Sequence, residues 1–162
     1  MVSLINLMLF VALASEISAQ TPENGEVNWM SYKEAVENTK SEKDIKIMLF
    51  LEADWCTVCK RMHREVFTDG KVIALLNTHF SPVKLDIESS DKLNMKGRTI
   101  SKKEFSKDIG IYGTPTILFL DETEDIIGNF VGFSNVDEML KLLNFISSEA
   151  YLNGTLEGYS YR

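Results

Sequence analysis

The stretch Ala53–Lys60 reads Ala-Asp-Trp-Cys-Thr-Val-Cys-Lys and holds the only two cysteines, Cys56 and Cys59, of the 162 residues. Residues 45–51, just before it, are apolar except for one lysine, which predicts a strand buried on both faces. Residues 60–67, just after it, carry apolar side chains on one helical face. The two thiols are therefore expected at the start of a helix that follows a central strand.

A helix start of this kind suits redox chemistry. Unpaired N–H groups and the positive end of the helix dipole favour the thiolate, the form that attacks disulfides. We therefore expect Cys56 to be the exposed nucleophile. Cys59 lies one turn later on the same side, where it is positioned to attack a mixed disulfide and release the product.

Two other uses of the cysteines stay open at this point. A structural disulfide would close so short a loop that it would constrain the unfolded chain little. A zinc site could draw on Cys56, Cys59, His63 and His79, but the histidines form no second tight ligand pair. Each histidine alone is expected at the surface. We predict neither a metal nor a cofactor.

Composition narrows the class of protein. The chain is 44% hydrophobic and 25% charged, as is typical of a soluble globular domain. Its formal net charge of −7 argues against a nucleic-acid partner, which requires a basic surface. The length fits one domain with additional segments.

The N-terminus resembles an export signal. An apolar run over residues 4–14, broken only by Asn6, precedes the small-residue segment 17–19. We predict a signal peptide over residues 1–19, with cleavage after Ala19, and a linker over residues 20–28. The expected location is the periplasm or another exported compartment. An uncleaved membrane anchor and a buried first helix are the alternatives.

The remaining patterns predict an α/β fold with a central mixed sheet and helices on both faces. The predicted domain covers residues 29–151, includes a polar surface insertion at 88–103, and is followed by a C-terminal tail at 152–162. Capping boxes at Ser31 and Ser101 predict helix starts. The helices are expected over 32–40, 60–67, 69–76, 101–110 and from 134 or 135 onward, and the strands over 45–51, 82–87, 116–120 and 126–131.

Two segments in this order resemble the signatures of the thioredoxin superfamily: the stretch Trp55–Lys60 after an apolar strand, and Gly113-Thr114-Pro115-Thr116 before the next strand. The resemblance covers roughly residues 29–146. Within the superfamily, these segments are similar to the C-terminal domain of the bacterial transmembrane reductase DsbD. The polar insertion and the tyrosine-containing tail look more like periplasmic SoxW-type thioredoxins.

The resemblance implies three substrate-binding residues. Pro115 would be cis and face the cysteines, and Thr114 would offer its backbone groups to an extended substrate. Trp55 would form an apolar platform beside Cys56. Read without the resemblance, Pro115 could be a trans-proline that begins a strand, and Trp55 could be a core aromatic.

The sequence departs from the thioredoxin pattern before the cysteines. Thioredoxins usually carry a buried aspartate six residues before the first cysteine, as proton acceptor for the second, and Phe50 stands there. Strand alternation places Glu52 on the same face and nearer the thiols, so we predict that Glu52 takes over the proton transfer. Asp54 is a weaker candidate.

These observations predict an exported thiol:disulfide oxidoreductase that mainly reduces disulfides in client proteins. Electrons would come from a membrane thiol carrier. A monomer is expected, because no separate dimerisation segment is visible. The alternatives are a disulfide oxidase or isomerase, and a non-catalytic module in which the two cysteines hold a metal ion.

Overall fold

The computed structural model describes residues 25–42 and 44–159. The predicted signal peptide, and residues 20–24 of the predicted linker, lie outside these ranges. Within them, no helix is both long enough and apolar enough to span a membrane.

The elements of the described ranges alternate between helices and strands. In chain order they are α1 (Tyr32–Ser41), β1 (Lys46–Glu52), α2 (Thr57–Glu65), α3 (Gly70–His79), β2 (Phe80–Asp86), β3 (Lys92–Met95), β4 (Arg98–Ser101), α4 (Lys102–Asp108), β5 (Thr116–Leu120), β6 (Ile126–Val131), α5 (Val136–Ser147) and a short 3-10 turn (Ala150–Leu152).

The main sheet has the order β2-β1-β5-β6 and is mixed. Strand β1 runs parallel to β2 and antiparallel to β5, which pairs antiparallel with β6. Leu51, near the end of β1, is paired with Thr116, the first residue of β5. The segment that leaves β1 and the segment that enters β5 therefore meet at one edge of the sheet.

The continuous apolar run of β1 is buried on both faces, as its pattern predicts. Met48 and Phe50 belong to a hydrophobic cluster that also takes side chains from α2, α3 and α5. Ile47, Leu49 and Leu51 belong to a second cluster with side chains from α1, α4 and β2. The α/β class, the mixed sheet and the helices on both faces are confirmed.

The predicted insertion, residues 88–103, is more ordered than a polar surface segment. It contains the β3–β4 hairpin, whose Leu93 is buried in the cluster with α1. Lys96 and Gly97 form the turn with positive φ angles of 50° and 78°, as a two-residue hairpin turn requires. The apolar side chains are spaced for a strand, but they are too few to show a clear period.

Two helix boundaries also differ from the sequence prediction. Helix α2 begins at Thr57, because Cys56 itself is the N-cap residue. Helix α3 extends to His79 rather than ending near Leu76, since the backbone N–H of Phe80 still bonds to the Leu76 carbonyl. The capping boxes at Ser31 and Ser101 are both formed.

Candidate active site

Cys56 and Cys59 form a disulfide at the N-terminus of α2, with an S–S distance of 2.09 Å and a Cα–Cα distance of 5.3 Å. Cys56 has extended backbone angles as the N-cap residue, and its Sγ accepts the backbone N–H of Cys59 at 3.0 Å. That N–H is one of the groups that a helix start leaves without an internal partner. The backbone thus places a hydrogen-bond donor against the sulfur expected to carry charge.

The expectation that Cys56 is exposed is wrong for the disulfide form. Cys56 is 3% exposed and Cys59 is 1% exposed. The reason is the disulfide itself, which ties the Cys56 sulfur to an inward-facing position one turn along the helix.

Apolar surface surrounds the buried disulfide. Trp55 is 60% exposed and Val58 is 39% exposed, so the residues that precede Cys56 and Cys59 both keep apolar side chains in solvent. The alternative that Trp55 is a core aromatic is therefore wrong. Its role as a platform for substrate stays a prediction.

The segment that enters β5 has the conformation implied by the resemblance. The Thr114–Pro115 peptide bond is cis, and Pro115 is buried. The Pro115 carbonyl accepts the backbone N–H of Gly132 at 2.9 Å, which fixes the segment to the end of β6. Because β5 starts beside the end of β1, this segment shares the sheet edge with the loop that carries Cys56.

Thr114 has unused hydrogen-bonding groups. Its Oγ1 is buried and has no partner among the described residues. Within the same ranges, no backbone hydrogen bond uses the N–H or carbonyl of Thr114 either. Buried polar groups are normally paired, so these groups are available to a ligand.

Glu52 is the last residue of β1 and forms a pair that the sequence did not predict. Its Oε2 lies 2.6 Å from Nε2 of His63, and the two side chains are 23% and 30% exposed. His63, expected at the surface, is only partly exposed, because its ring packs against Trp29, Phe50 and Phe67. Asp54, the weaker candidate for proton transfer, is exposed.

Three aromatic side chains enclose the His63 ring. The ring centroids of Phe50, Phe67 and Trp29 lie 5.3, 5.5 and 6.1 Å from it. Phe50, which stands where thioredoxins usually have an aspartate, is fully buried and forms one wall of this enclosure. Helical spacing could have predicted that His63 lies on the same face of α2 as Cys59. It could not have predicted how close α2 comes to Glu52.

The metal alternative receives no further residues from the fold. Within residues 25–42 and 44–159, no three His, Cys, Asp or Glu side chains are grouped so that they could hold a metal ion. His79 is the last residue of α3, whereas the cysteines begin α2.

The fold, the N-terminal disulfide of α2 and the cis-proline segment together define a thioredoxin-like domain. The family model described as a thioredoxin-like domain matches residues 32–147, and the chain belongs to this family.

The curated relatives include disulfide-exchange proteins. The chain is 35% identical over 101 residues to the thiol:disulfide interchange protein DsbD of Haemophilus ducreyi. The matched segment is 61% of this chain and 16% of the relative. It is 32% identical over 116 residues to DsbD of Actinobacillus pleuropneumoniae, covering 70% of this chain and 18% of the relative. The chain thus spans less than a fifth of these relatives.

Solved structures show the same fold. The DsbH oxidoreductase matches with a TM-score of 0.62 and 18% identity, covering 90% of this chain and 95% of that one. The oxidised C-terminal domain of DsbD from Neisseria meningitidis matches with a TM-score of 0.53 and 17% identity, covering 68% and 87%. The fold implied by the resemblance is confirmed.

Proposed function

We propose that this protein is an exported thiol:disulfide oxidoreductase that reduces disulfides in client proteins. The observation that carries the proposal is the Cys56–Cys59 disulfide at the N-terminus of α2, with a backbone N–H on the Cys56 sulfur. The relatives named for thiol:disulfide interchange support this chemistry. Disulfide exchange needs a thiolate nucleophile and a second thiol within reach, and this turn holds both.

The reduced protein would act in two steps. First, the Cys56 thiolate attacks a client disulfide, forms a mixed disulfide and releases one client sulfur as a thiolate. Then Cys59 loses its proton and attacks Cys56, the Cys56–client bond breaks, and the second client sulfur leaves as a thiolate. The client is reduced by two electrons, and the Cys56–Cys59 disulfide is formed.

Glu52 supplies the base for the second step in this proposal. It ends the strand that leads into the cysteine turn, and its side chain is only 23% exposed. A carboxylate at this position, with lone pairs left over, can accept a proton from a thiol. Phe50, in the usual acidic position, cannot accept a proton.

An extended client segment would bind along the edge formed by Trp55 and the Thr114–Pro115 segment. The unpaired backbone groups of Thr114 can bond to an extended strand, as in strand addition at a sheet edge. The exposed indole of Trp55 offers apolar contact beside the reacting sulfur. These features suit an unfolded or flexible protein segment.

The cellular setting follows from the predicted signal peptide at residues 1–19. An exported protein cannot draw on cytoplasmic reductants, so its disulfide would be reduced by a membrane thiol carrier. We propose that it acts as a monomer, because the described domain presents the complete cysteine turn and cis-proline segment in one chain.

Trapping in cells tests the proposal. The Cys59→Ser variant should accumulate mixed disulfides through Cys56, since the second step is blocked, and the trapped partners identify the clients and the electron donor. Cys56→Ser is the matched control and should trap none. Equal trapping by both variants, or by neither, would contradict the proposal.

The direction of electron flow needs its own measurement. Alkylation of the thiols after equilibration with redox buffers gives the reduction potential. A reductase requires a value well below that of strong oxidants, which lies at roughly −120 mV. A value near that level would assign the protein to disulfide formation instead.

A further inference from the structure

We propose that His63 is the positioning residue that holds Glu52 in place as proton acceptor for Cys59. The inference rests on the proposed function and extends it to a residue that sequence reasoning placed at the surface. It is carried by the 2.6 Å contact between His63 Nε2 and Glu52 Oε2, and by the place of this pair beside the cysteine turn.

The pair connects the two elements that hold the thiols. Glu52 is the last residue of β1, and His63 lies four residues after Cys59 on α2. Residues four apart on a helix lie on the same face, one above the other. Cys59 and His63 therefore share one face of α2, and the contact of His63 with Glu52 joins this face to the end of β1.

The aromatic enclosure fixes the His63 ring. Phe50 and Phe67 contact it from β1 and the end of α2, and Trp29 closes a further side. A ring held by packing keeps its hydrogen bond in one geometry, and a less polar surrounding strengthens that bond. Because a carboxylate can only accept, the ring donates from Nε2 and holds the Glu52 carboxylate in one orientation.

A route to solvent lies beside the ring. His63 lines a hollow of about 230 Å³ together with Glu26, Trp29, Phe67 and Thr68. A proton taken from Cys59 has to leave the site before the next cycle. The hollow borders the His63 ring, the Glu52 partner, and offers that proton a way out.

Other charged groups lie near the pair and contribute to its electrostatic surroundings. Asp86 is paired with Glu52 across β1 and β2, and Lys84 lies on the same strand with its Nζ 5.5 Å from the centre of the Trp29 ring. Lys60 and Arg64 flank His63 on α2, and Glu26 faces it across the hollow. Of the groups named here, His63 is the one that forms a side-chain hydrogen bond with Glu52.

The step assigned to the pair balances. The Cys59 S–H proton passes to the Glu52 carboxylate, and the Cys59 thiolate then attacks Cys56 Sγ. The Cys59–Cys56 bond forms while the Cys56–client bond breaks, and the electron pair leaves on the client sulfur. His63 keeps its bond to Glu52 throughout and takes no electrons.

A two-step colorimetric assay separates this role from the rest of the reaction. Reduced protein attacks dithiobis(nitrobenzoate), which releases one coloured thiolate when Cys56 reacts and a second when Cys59 resolves the mixed disulfide. His63→Phe keeps the aromatic packing and removes the donor. In His63→Phe we expect the rate of the second release to fall about tenfold. In Glu52→Gln it should fall by up to about a hundredfold. The first release should be unchanged in both variants.

The pH profile distinguishes positioning from a structural role. In His63→Phe the pH dependence of the second release should change while that of the first does not, because the proton acceptor is no longer held by its donor. His63→Gln retains an N–H donor and should restore most of the rate. The double variant of Glu52 and His63 should be no slower than Glu52→Gln alone, since the two residues act as a unit.

His79→Phe, at the other histidine, is the matched control and should leave both releases unchanged. The inference fails if His63→Phe, folded as judged by circular dichroism, keeps the wild-type second rate and pH profile. A wild-type protein without the first release would instead contradict the proposed function.

Discussion

Two polar pairs lie at opposite ends of the central sheet, and their surroundings differ. Glu52 and His63 share a single bond beside the cysteine turn, next to a hollow open to solvent. Tyr32 and Glu124 are buried at the other end, where the Tyr32 hydroxyl donates to Glu124 at 2.8 Å. Each pair joins two different structural elements, and Tyr32 and Glu124 are also far apart in the chain.

The pairs differ in how completely they are satisfied. Glu124 also accepts the backbone N–H of Lys96 at 3.0 Å and lies 3.9 Å from the Lys40 ammonium. It therefore ties the β5–β6 turn to α1 and to the β3–β4 hairpin. A carboxylate with several fixed donors has a structural role, whereas one with a single side-chain partner keeps lone pairs that can accept a proton.

The largest change is expected when the acid usual in thioredoxins is restored at Phe50. Phe50→Asp would bury a carboxylate between His63 and Phe67 and would remove an aromatic ring from the core. A buried charge without a designed partner costs about 3–5 kcal/mol. We expect the free energy of unfolding to fall by at least this amount, as measured by denaturant titration of the oxidised protein.

Phe50→Leu is the control for the lost ring, because it keeps an apolar side chain at the same position. It should cost clearly less than Phe50→Asp. Equal losses in both variants would show that the site tolerates a second carboxylate, and the contrast between the two ends of the sheet would then be weaker.

Tyr32→Phe tests the structural pair and should have an intermediate effect. It removes the donor from Glu124 but leaves the Lys96 N–H and Lys40 in place, so a loss of about 1–2 kcal/mol is expected at neutral pH. Thiol exchange at the cysteines should not change. Denaturant unfolding and the two-step thiol assay measure both quantities.

The effect of Tyr32→Phe should depend on pH in a defined direction. Burial, with a contribution from Glu124, raises the pKa of Tyr32 above its ordinary value. The stability that this shift provides is complete below the pKa of an unfolded tyrosine, about 10, and declines above it as the unfolded chain ionises. The difference between wild type and Tyr32→Phe should therefore shrink in alkali. The matched control Tyr112→Phe, at a tyrosine that is 76% exposed, should cost nothing measurable.

Sequence reasoning located the reactive turn and the fold, because both depend on local patterns. The apolar run of β1 and the cysteine spacing specify a strand followed by a helix start, and strands β5 and β6 have the predicted bounds. The pair of Glu52 and His63 depends instead on how closely α2 packs against β1. Periodicity gives the face of a helix or strand, but not the distance between two elements.

The β3–β4 hairpin was missed for a different reason. Its turn is Lys96-Gly97 rather than the Asn-Gly or Asp-Gly pairs that mark such turns most strongly. Its strands have only four residues each, so their alternation is too short to stand out from the polar residues around them. The hairpin is held largely by contacts to distant parts of the chain, such as Leu93 in the core cluster and Lys96 on Glu124.

The smallest predicted effect concerns this hairpin and the donor that it presents to Glu124. Gly97 has φ of +78°, and a Cβ at this position would meet no atom within 4 Å. Gly97→Ala therefore changes backbone strain without creating a clash, and we expect a loss of about 1 kcal/mol in the free energy of unfolding. Gly70→Ala is the matched control, because Gly70 has equal space around it but no positive φ, at the start of α3. It should be neutral or stabilising by about 0.5 kcal/mol.

If the strained turn also displaces the Lys96 N–H, the losses from Gly97→Ala and Tyr32→Phe will not add in the double variant, since both act on the same carboxylate. Strict additivity would show that the hairpin and α1 are fixed independently, and Glu124 would then join two elements without coupling them.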